Sequence, residues 1–346
     1  MPKSYYCHAD TLFNESAESW REILGITAPL FDETSREKAL SAADAEMAFI
    51  EKRGITPLFF TDMDYPARLH ECPDAPVMLY FKGNGNLNPH HILSIVGTRK
   101  ATRYGRDFCA DLLGQLSQSV PGLTIVSGMA YGIDICAHRE ALKNNLPTIG
   151  VLAHGLHTLY PSVNRVTARE AEQNGGLLTE YTTQQPILKI NFVARNRIVA
   201  GMTEATLVIE SPEKGGALIT AHLARDYNRE VFALPGNINQ ECSIGCNRLI
   251  RDNVAALVTS AKDIIETMGW ETATRSDVKQ QPSLFPEISE KESVLLQILH
   301  ERGEMQINQL TVATNLPTGE ILSTLLEMEF KGLVRTLPGG MFRTTK

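Results

Sequence analysis

Between residues 92 and 234 the chain alternates regularly between short apolar runs and longer amphipathic stretches. The runs have the length of strands, and their unbroken hydrophobicity is typical of strands covered by helices on both faces. We therefore predict an α/β fold built on a doubly wound parallel sheet with right-handed crossovers. The predicted strands are Ile92–Val96, Leu123–Ser127, Thr148–Leu152, Gly176–Thr179, Thr206–Glu210 and Val231–Leu234, and the predicted helices are Thr102–Gln118, Tyr131–Asn144, Ser162–Gln173, Phe192–Met202 and Ala217–Asn228.

The pattern changes on both sides of this region. Residues 1–85 repeat apolar positions mostly at helical intervals, with one extended run at Met78–Phe81, and they predict a helical N-terminal module. Residues 86–268 form the predicted core, and the polar residues 269–288 are typical of a linker. Residues 289–346 combine three helical patterns with a final hairpin, which is the order of a winged-helix domain.

The first predicted strand of the core ends at Gly97 and leads directly into a helix. Such a corner collects free backbone N–H groups and the positive end of the helix dipole, and therefore binds anions. A cluster of cations follows, with no acidic residue among them: Arg99, Lys100, Arg103 and Arg106. We predict a phosphate-binding site at this corner.

The division of charge along the chain supports that position. The 346 residues carry a formal net charge of −7, and residues 1–93 have 8 Lys/Arg against 14 Asp/Glu. Residues 94–220 have 12 against 10, so a polyanion is expected to bind through a local patch there. The scattered cysteines do not favour a zinc site and are typical of a reducing cytoplasm. No leader or membrane-length apolar run is visible in the sequence.

A second group of candidate ligand residues lies near the predicted helix that begins at Phe192. Lys189 precedes this aromatic residue, and such a pair suits single-stranded nucleic acid, whose phosphates need cations and whose unstacked bases need a platform. Arg195 and Arg197 are two residues apart and cannot both face one ligand from one helix face. The alternative is that Phe192 is part of the core and that the two arginines form internal ion pairs.

No set of residues in the sequence demands catalysis. Asp134 and His138 are four residues apart on a predicted helix and could act as an acid–base pair, but a local ion pair or cap interaction is the commoner use of that spacing. Ser127 lacks the G-x-S-x-G context of a hydrolase nucleophile. Gly215 and Gly216 open another helix and predict a second phosphate corner.

Six ordered motifs between about residues 55 and 258 resemble the DNA-processing protein A family, also called DprA or Smf. They are SIVGTRK at 94–100, SGMAYGID at 127–134, NFVARNRIVAG at 191–201, GGALITA at 215–221, ALPGNI at 233–238 and GCNRLI at 245–250. The resemblance implies an extended Rossmann-like core with a C-terminal winged helix. It further implies a cytoplasmic, dimeric, non-enzymatic protein without cofactor or metal. Such a protein binds single-stranded DNA and loads the RecA recombinase during natural transformation.

The resemblance also implies which residues contact nucleic acid. Phosphate is expected at the glycine turns, and a base is expected to stack on Phe192. The candidate residues are Gly97, Thr98, Arg99, Ser127, Gly128, Lys189, Phe192, Arg195, Asn196, Arg197, Gly215, Gly216, Leu218 and Thr220. The sequence departs from the family at Gly215, where Ser is commoner, and in residues 1–50, where the Gly-Ile-Gly turn of the usual N-terminal module is missing.

Two other classes of protein compete with this interpretation. Related Rossmann-like folds include nucleotide and nucleoside-phosphate hydrolases, but the stretch from Glu213 to Ala217 lacks their Pro-Gly-Gly-x-Gly-Thr turn. A winged-helix transcription regulator would need cations on its third helix. That predicted helix instead carries Glu320, Glu327 and Glu329 against Lys331.

Overall fold

A computed structural model describes residues 33–272 and 289–344, except residues 315, 332, 338 and 339. The predicted N-terminal module up to residue 32 and the predicted linker from residue 273 to 288 therefore lie outside the described residues. The chain divides into two compact units, residues 1–274 and 275–346. Among the helices described, none has both the length and the apolar character needed to cross a membrane.

The first unit is organised around a nine-stranded sheet with the order β1-β2-β6-β5-β4-β3-β7-β8-β9. Strands β3 to β9 run parallel, and β2 extends the sheet beyond β6 by pairing antiparallel with both β6 and β1. The strands are β1 Thr56–Phe59, β2 Met78–Gly83, β3 Ile92–Gly97, β4 Thr124–Ser127, β5 Thr148–Val151, β6 Gly175–Thr179, β7 Ala205–Ile209, β8 Glu230–Ala233 and β9 Ala256–Leu257.

Helices cover both faces of this sheet, which explains why its central strands are buried along almost their whole length. One layer packs Leu112, Leu113 and Leu116 against Ile95 and Ile125. The helices of the unit are α1 Glu33–Arg53, α2 Ala67–His70, α3 Arg103–Ser119, α4 Ile133–Lys143, α5 Arg165–Gln173, α6 Lys189–Ala194, α7 Asn196–Gly201, α8 Gly216–Asp226, α9 Glu241–Arg251 and α10 Ala261–Met268.

The predicted fold class is confirmed, and the six predicted strands reappear as β3 to β8 with ends shifted by a residue. The extended run predicted at Met78–Phe81 is part of β2, in which Leu79 and Phe81 alternate with partly exposed residues and bury one face of the strand. The structure differs from the prediction at Thr56–Phe59, which form β1 within the predicted helical module and pair with β2. The predicted boundary at residue 85 therefore falls after two strands of the sheet.

The strand order reverses around β3, which pairs with β4 on one side and β7 on the other. In open α/β sheets the crevice beyond the C-terminal strand ends at such a switch point is where ligands bind. The loops after β3, β4 and β7 therefore meet where the sequence predicts the phosphate corner.

The second unit packs three helices against a three-stranded sheet of order β10-β12-β11. Its core includes Leu295, Leu299, Leu310, Ile321 and Leu325. The elements are α11 Glu290–Arg302, β10 Met305–Gln306, α12 Ile307–Thr314, α13 Thr318–Phe330, β11 Val334–Leu337 and β12 Met341–Thr344.

Candidate nucleic-acid interface

The loops at the switch point enclose a pocket of about 280 Å³. Its walls come from the turn after β3, the start of α4, the junction of α6 and α7, and the turn before α8. Nine of the predicted ligand residues line it: Gly97, Thr98, Arg99, Phe192, Arg195, Asn196, Gly215, Gly216 and Thr220. The fold therefore gathers residues from three distant stretches of sequence into one site.

The turn after β3 has no space for a side chain at Gly97. A Cβ there would overlap the carbonyl oxygen of Ile209 and the side chain of Ile133. The next residue, Thr98, donates its backbone N–H to the carbonyl oxygen of Glu210 at 2.8 Å. Gly97 is therefore required by the close approach of β7, which holds the Thr98–Arg99 turn at the mouth of the pocket.

Glu210 fixes this corner and was missed by the sequence reasoning. It has a φ of 58°, in the left-handed region that non-glycine residues seldom adopt, and its side chain is only 2% exposed. Its carboxylate accepts a hydrogen bond from the backbone N–H of Thr102 at 2.8 Å and another from the Thr102 hydroxyl. Because Thr102 is the N-cap of α3, Glu210 ties the start of that helix to the end of β7.

Arg99 and Phe192 meet at the rim of the pocket. Arg99 is exposed, and its guanidinium carbon lies 5.8 Å from the centroid of the Phe192 ring. The edge of the Tyr160 ring packs against Phe192, with centroids 5.7 Å apart and planes at 71°. Tyr160 is 51% exposed and was not among the predicted residues. A cation and two aromatic rings therefore share one partly exposed surface.

Lys189 is the first residue of α6, three positions before Phe192, so the two side chains share a helix face. The lysine is exposed, and Phe192 is partly buried rather than enclosed in the core. The exposed side chains of Leu188 and Ile190 flank it. This arrangement places an exposed cation beside Phe192.

Arg195 and Arg197 both make contacts within the protein, as the alternative interpretation expected. Arg195 is only 4% exposed and donates to the carbonyl oxygens of Gly128, at 2.7 Å, and Val151. Burial lowers its pKa, and the charge of Asp134 opposes that shift. Arg197 lies outside the pocket and pairs with Glu180 at 2.5 Å. Contact of either arginine with nucleic acid stays a prediction.

Asp134 and His138 have separate partners rather than each other. Burial raises the pKa of Asp134, and hydrogen bonds from the backbone of Gly128 and the charge of Arg195 act against that rise. His138 is fully buried, and its Nδ1 lies 2.7 Å from the Thr148 hydroxyl. Burial lowers the pKa of His138 to about 3. Asp134 therefore belongs to the pocket wall, whereas His138 is a neutral core residue.

The remaining candidates form the supports of the pocket. The Ser127 hydroxyl is buried and donates to the carbonyl oxygen of Ile95 at 2.6 Å. A side chain at Gly128 would overlap the Arg195 guanidinium. Leu218 lines a neighbouring cavity of about 380 Å³ rather than the pocket itself.

The Ser211 hydroxyl lies in the space that a Cβ at Gly215 would take. The Ser211 hydroxyl therefore occupies the space that the side chain of a serine at position 215, the commoner residue of the family, would take. The Ser211 Oγ also bonds the carbonyl oxygen of Pro212 at 3.1 Å.

The parallel sheet, the glycine-lined pocket at its switch point and the separate winged-helix unit define a Rossmann-like α/β protein with an appended winged helix. A family model described as DNA recombination-mediator protein A matches residues 56–269. A second, described as DprA winged helix domain, matches residues 279–340. The chain belongs to the DprA/Smf family of DNA-processing proteins.

Individual relatives agree with this assignment. Protein Smf of Escherichia coli strain K12 is 34% identical over 286 residues, which cover 81% of this chain and 75% of that protein. The X-ray structure of DNA processing protein A from Streptococcus pneumoniae superimposes with a TM-score of 0.63 at 35% identity, covering 72% of this chain and 85% of that one. The Helicobacter pylori protein, described for its single-stranded DNA binding mode, gives 0.56 at 30% identity, covering 62% and 95%.

Proposed function

We propose that this protein binds single-stranded DNA without chemical conversion. In this proposal it acts in the cytoplasm, protects incoming strands and loads RecA recombinase during natural transformation and recombination. The observation that carries the proposal is the placement of Arg99 over Phe192 at the rim of a pocket lined by glycine turns. Cations and free amides bind phosphates, and an exposed aromatic face stacks on an unpaired base.

The pocket suggests a path for the strand. One phosphate would contact Arg99 beside the Gly97–Thr98 turn, opposite the start of α8 at Gly216. Lys189 would neutralise a neighbouring phosphate, and the intervening base would stack on Phe192. Stacking accepts every base, so this interface would bind strands with little sequence preference.

The same geometry would favour single strands over duplex DNA. In a duplex each base is already stacked and paired, so no ring is available to Phe192 without unstacking. Duplex DNA could use only the cations, and it would bind through the sequence-independent electrostatic contribution alone.

Relatives support the biological part of the proposal. The Helicobacter pylori structure is described by its binding of single-stranded DNA, and the matching family model is described as a recombination mediator. On that basis we include RecA and a second copy of this chain among the proposed partners. We also propose that DNA binding resides in residues 86–268, within the unit whose sheet begins at β1, and that residues 289–346 act as a separate winged-helix domain.

One observation favours a competing function. Asp134 lines the pocket, and its burial raises the pKa of the carboxyl group, as in a general acid. A nucleoside-phosphate hydrolase on this fold would release free base from nucleoside monophosphates. We expect no release, and any release abolished by Asp134→Asn would favour the enzyme.

The direct test is a gel-shift titration of a labelled oligo-dT strand with the wild-type protein and two variants. Arg99→Ala removes the cation over Phe192, whereas Arg251→Ala removes an exposed cation of α9 that pairs with Asp252 at 2.9 Å. Weaker binding by the first variant alone supports the proposal. Equal binding by all three proteins would contradict it.

A further inference from the structure

Glu46 is a charged residue of α1 that is almost fully enclosed, with 8% of its surface exposed. Its two carboxylate oxygens accept hydrogen bonds from the backbone N–H of Thr183, at 3.1 Å and 3.0 Å. One of them also accepts from the Thr183 hydroxyl at 2.5 Å. Beside this contact, the side-chain amide of Gln184 donates to the carbonyl oxygen of Ala42 at 3.1 Å.

These contacts hold the segment that leads into α6, the helix that carries Lys189 and Phe192. Residues 180–188 connect the end of β6 to α6, which begins at Lys189. Residues 184–190 are exposed, and the bond from the Thr182 N–H to Gln185 is local to the segment. The anchor on α1 therefore fixes the middle of a segment that otherwise lies on the surface.

The chemistry of the anchor is demanding. A carboxylate removed from water destabilises a fold unless hydrogen bonds replace its hydration. Here one residue, Thr183, supplies both an N–H and an O–H donor, so the position of that residue is determined closely. A hydrophobic contact between α1 and the segment would pack them together without specifying their register.

We propose that Glu46 is a positioning residue of the DNA-binding site. By holding Thr183, Glu46 fixes the path of the segment between β6 and α6. That path determines where Lys189 and Phe192 lie relative to Arg99. The inference rests on the proposed function and extends it, because it makes α1, outside the pocket, part of the binding apparatus. Loss of the anchor would leave the phosphate contact of Arg99 intact and weaken the DNA contacts of Lys189 and Phe192.

A double-mutant cycle on binding of oligo-dT tests this coupling. We expect Glu46→Ala to weaken binding about tenfold in the wild type and in the Arg99→Ala background. In the Lys189→Ala background the same substitution should weaken binding clearly less, because part of what Glu46 positions is already gone. Glu51→Ala, at an exposed position of the same helix, is the matched control and should leave binding unchanged. An equal loss in all three backgrounds, or no loss, would overturn the inference.

Amide hydrogen exchange tests whether Glu46 holds the segment, independently of whether the protein binds DNA. Glu46→Ala should accelerate amide exchange within residues 182–190 while the strands of the sheet stay protected. Thr183→Val replaces the hydroxyl by a methyl group, keeps the backbone N–H donor and provides a milder variant should Glu46→Ala fail to fold. Failure of the wild type to bind oligo-dT would refute the proposed function, whereas normal binding with unchanged exchange in the variants would refute only the role of Glu46.

Discussion

The guanidinium carbon of Arg99 lies 5.8 Å from the centroid of the Phe192 ring, although Arg99 follows β3 and Phe192 belongs to α6. A cation over an aromatic face is attracted by the ring quadrupole, and the contact restricts the conformations of the exposed arginine. The edge of the Tyr160 ring packs against the Phe192 ring and restricts its movement. In the proposed function, the cation and the aromatic ring are held near each other before a strand binds, which would reduce the ordering needed for binding.

Arg99→Ala is expected to weaken binding of all single strands by a similar factor. The residue faces phosphate in this account, and phosphate contacts carry no sequence information. A charge-assisted hydrogen bond contributes about 1.5–3 kcal/mol, so the loss should be about 10- to 100-fold. Competition titrations with oligo-dT, oligo-dC and mixed sequences would measure it, and a loss confined to one sequence would argue against a phosphate contact.

Phe192→Ala should weaken binding by about 1–3 kcal/mol while leaving its salt dependence unchanged, because a stacked base releases no counterions. Phe192→Tyr keeps an aromatic face and serves as the control. Tyr160→Ala should have a smaller effect in the same direction, since Tyr160 supports the ring by its edge. Affinities measured at several salt concentrations separate the contribution of stacking on Phe192 from that of the phosphate contacts. A salt slope that falls in Phe192→Ala would assign the ring a different role.

Gly97→Ala should destabilise the protein by about 1–3 kcal/mol or more, because its Cβ would meet the backbone of Ile209 in a packed sheet. Gly216→Ala is the matched control at the start of α8, where a Cβ would have open space. Urea unfolding of both variants measures the difference. Equal stability of the two variants would contradict the close approach of β3 and β7.

His138 should make the stability of the fold depend on pH. Burial lowers the pKa of His138 to about 3 in the folded protein, against an ordinary value of 6.5. Between these values the unfolded chain binds an extra proton, so stability falls as pH decreases, by about 1.4 kcal/mol per pH unit from this group. The wild type should lose stability relative to His138→Gln as pH is lowered from 6.5 towards 3. Parallel pH profiles of the two proteins would show that His138 is not held neutral.

The strands and the turn at Gly97 could be predicted because they follow local rules. Continuous apolar runs indicate β3 to β8, and Gly97 indicates the turn that ends β3, whereas anion binding at that turn stays a prediction. Phe192 could be placed beside a cation because Lys189 is three residues away. Each of these signals lies within one turn of helix or one strand.

The residues that escaped prediction depend on partners far away in the sequence. Glu210 anchors the start of α3 because Thr102, the N-cap of that helix, lies beside it. Its left-handed φ could not be predicted from the fact that the residue is a glutamate. Tyr160 lies at the rim of the pocket because the fold places its ring against Phe192, 32 residues further along the chain. Glu46 looks like any acidic residue of an exposed helix until Thr183 packs against it. Long-range contacts of this kind require the folded structure.

The most direct test of DNA binding at the switch point is fluorescence anisotropy with labelled oligo-dT and the matching duplex over a salt series. We expect tighter binding of the single strand, with log affinity falling by about 0.7 per neutralised phosphate for each unit of log salt concentration. Arg99→Ala and Lys189→Ala should each weaken binding and reduce that slope by about 0.7. Equal affinities for strand and duplex without a salt slope, or unchanged binding in both variants, would contradict DNA binding at this pocket.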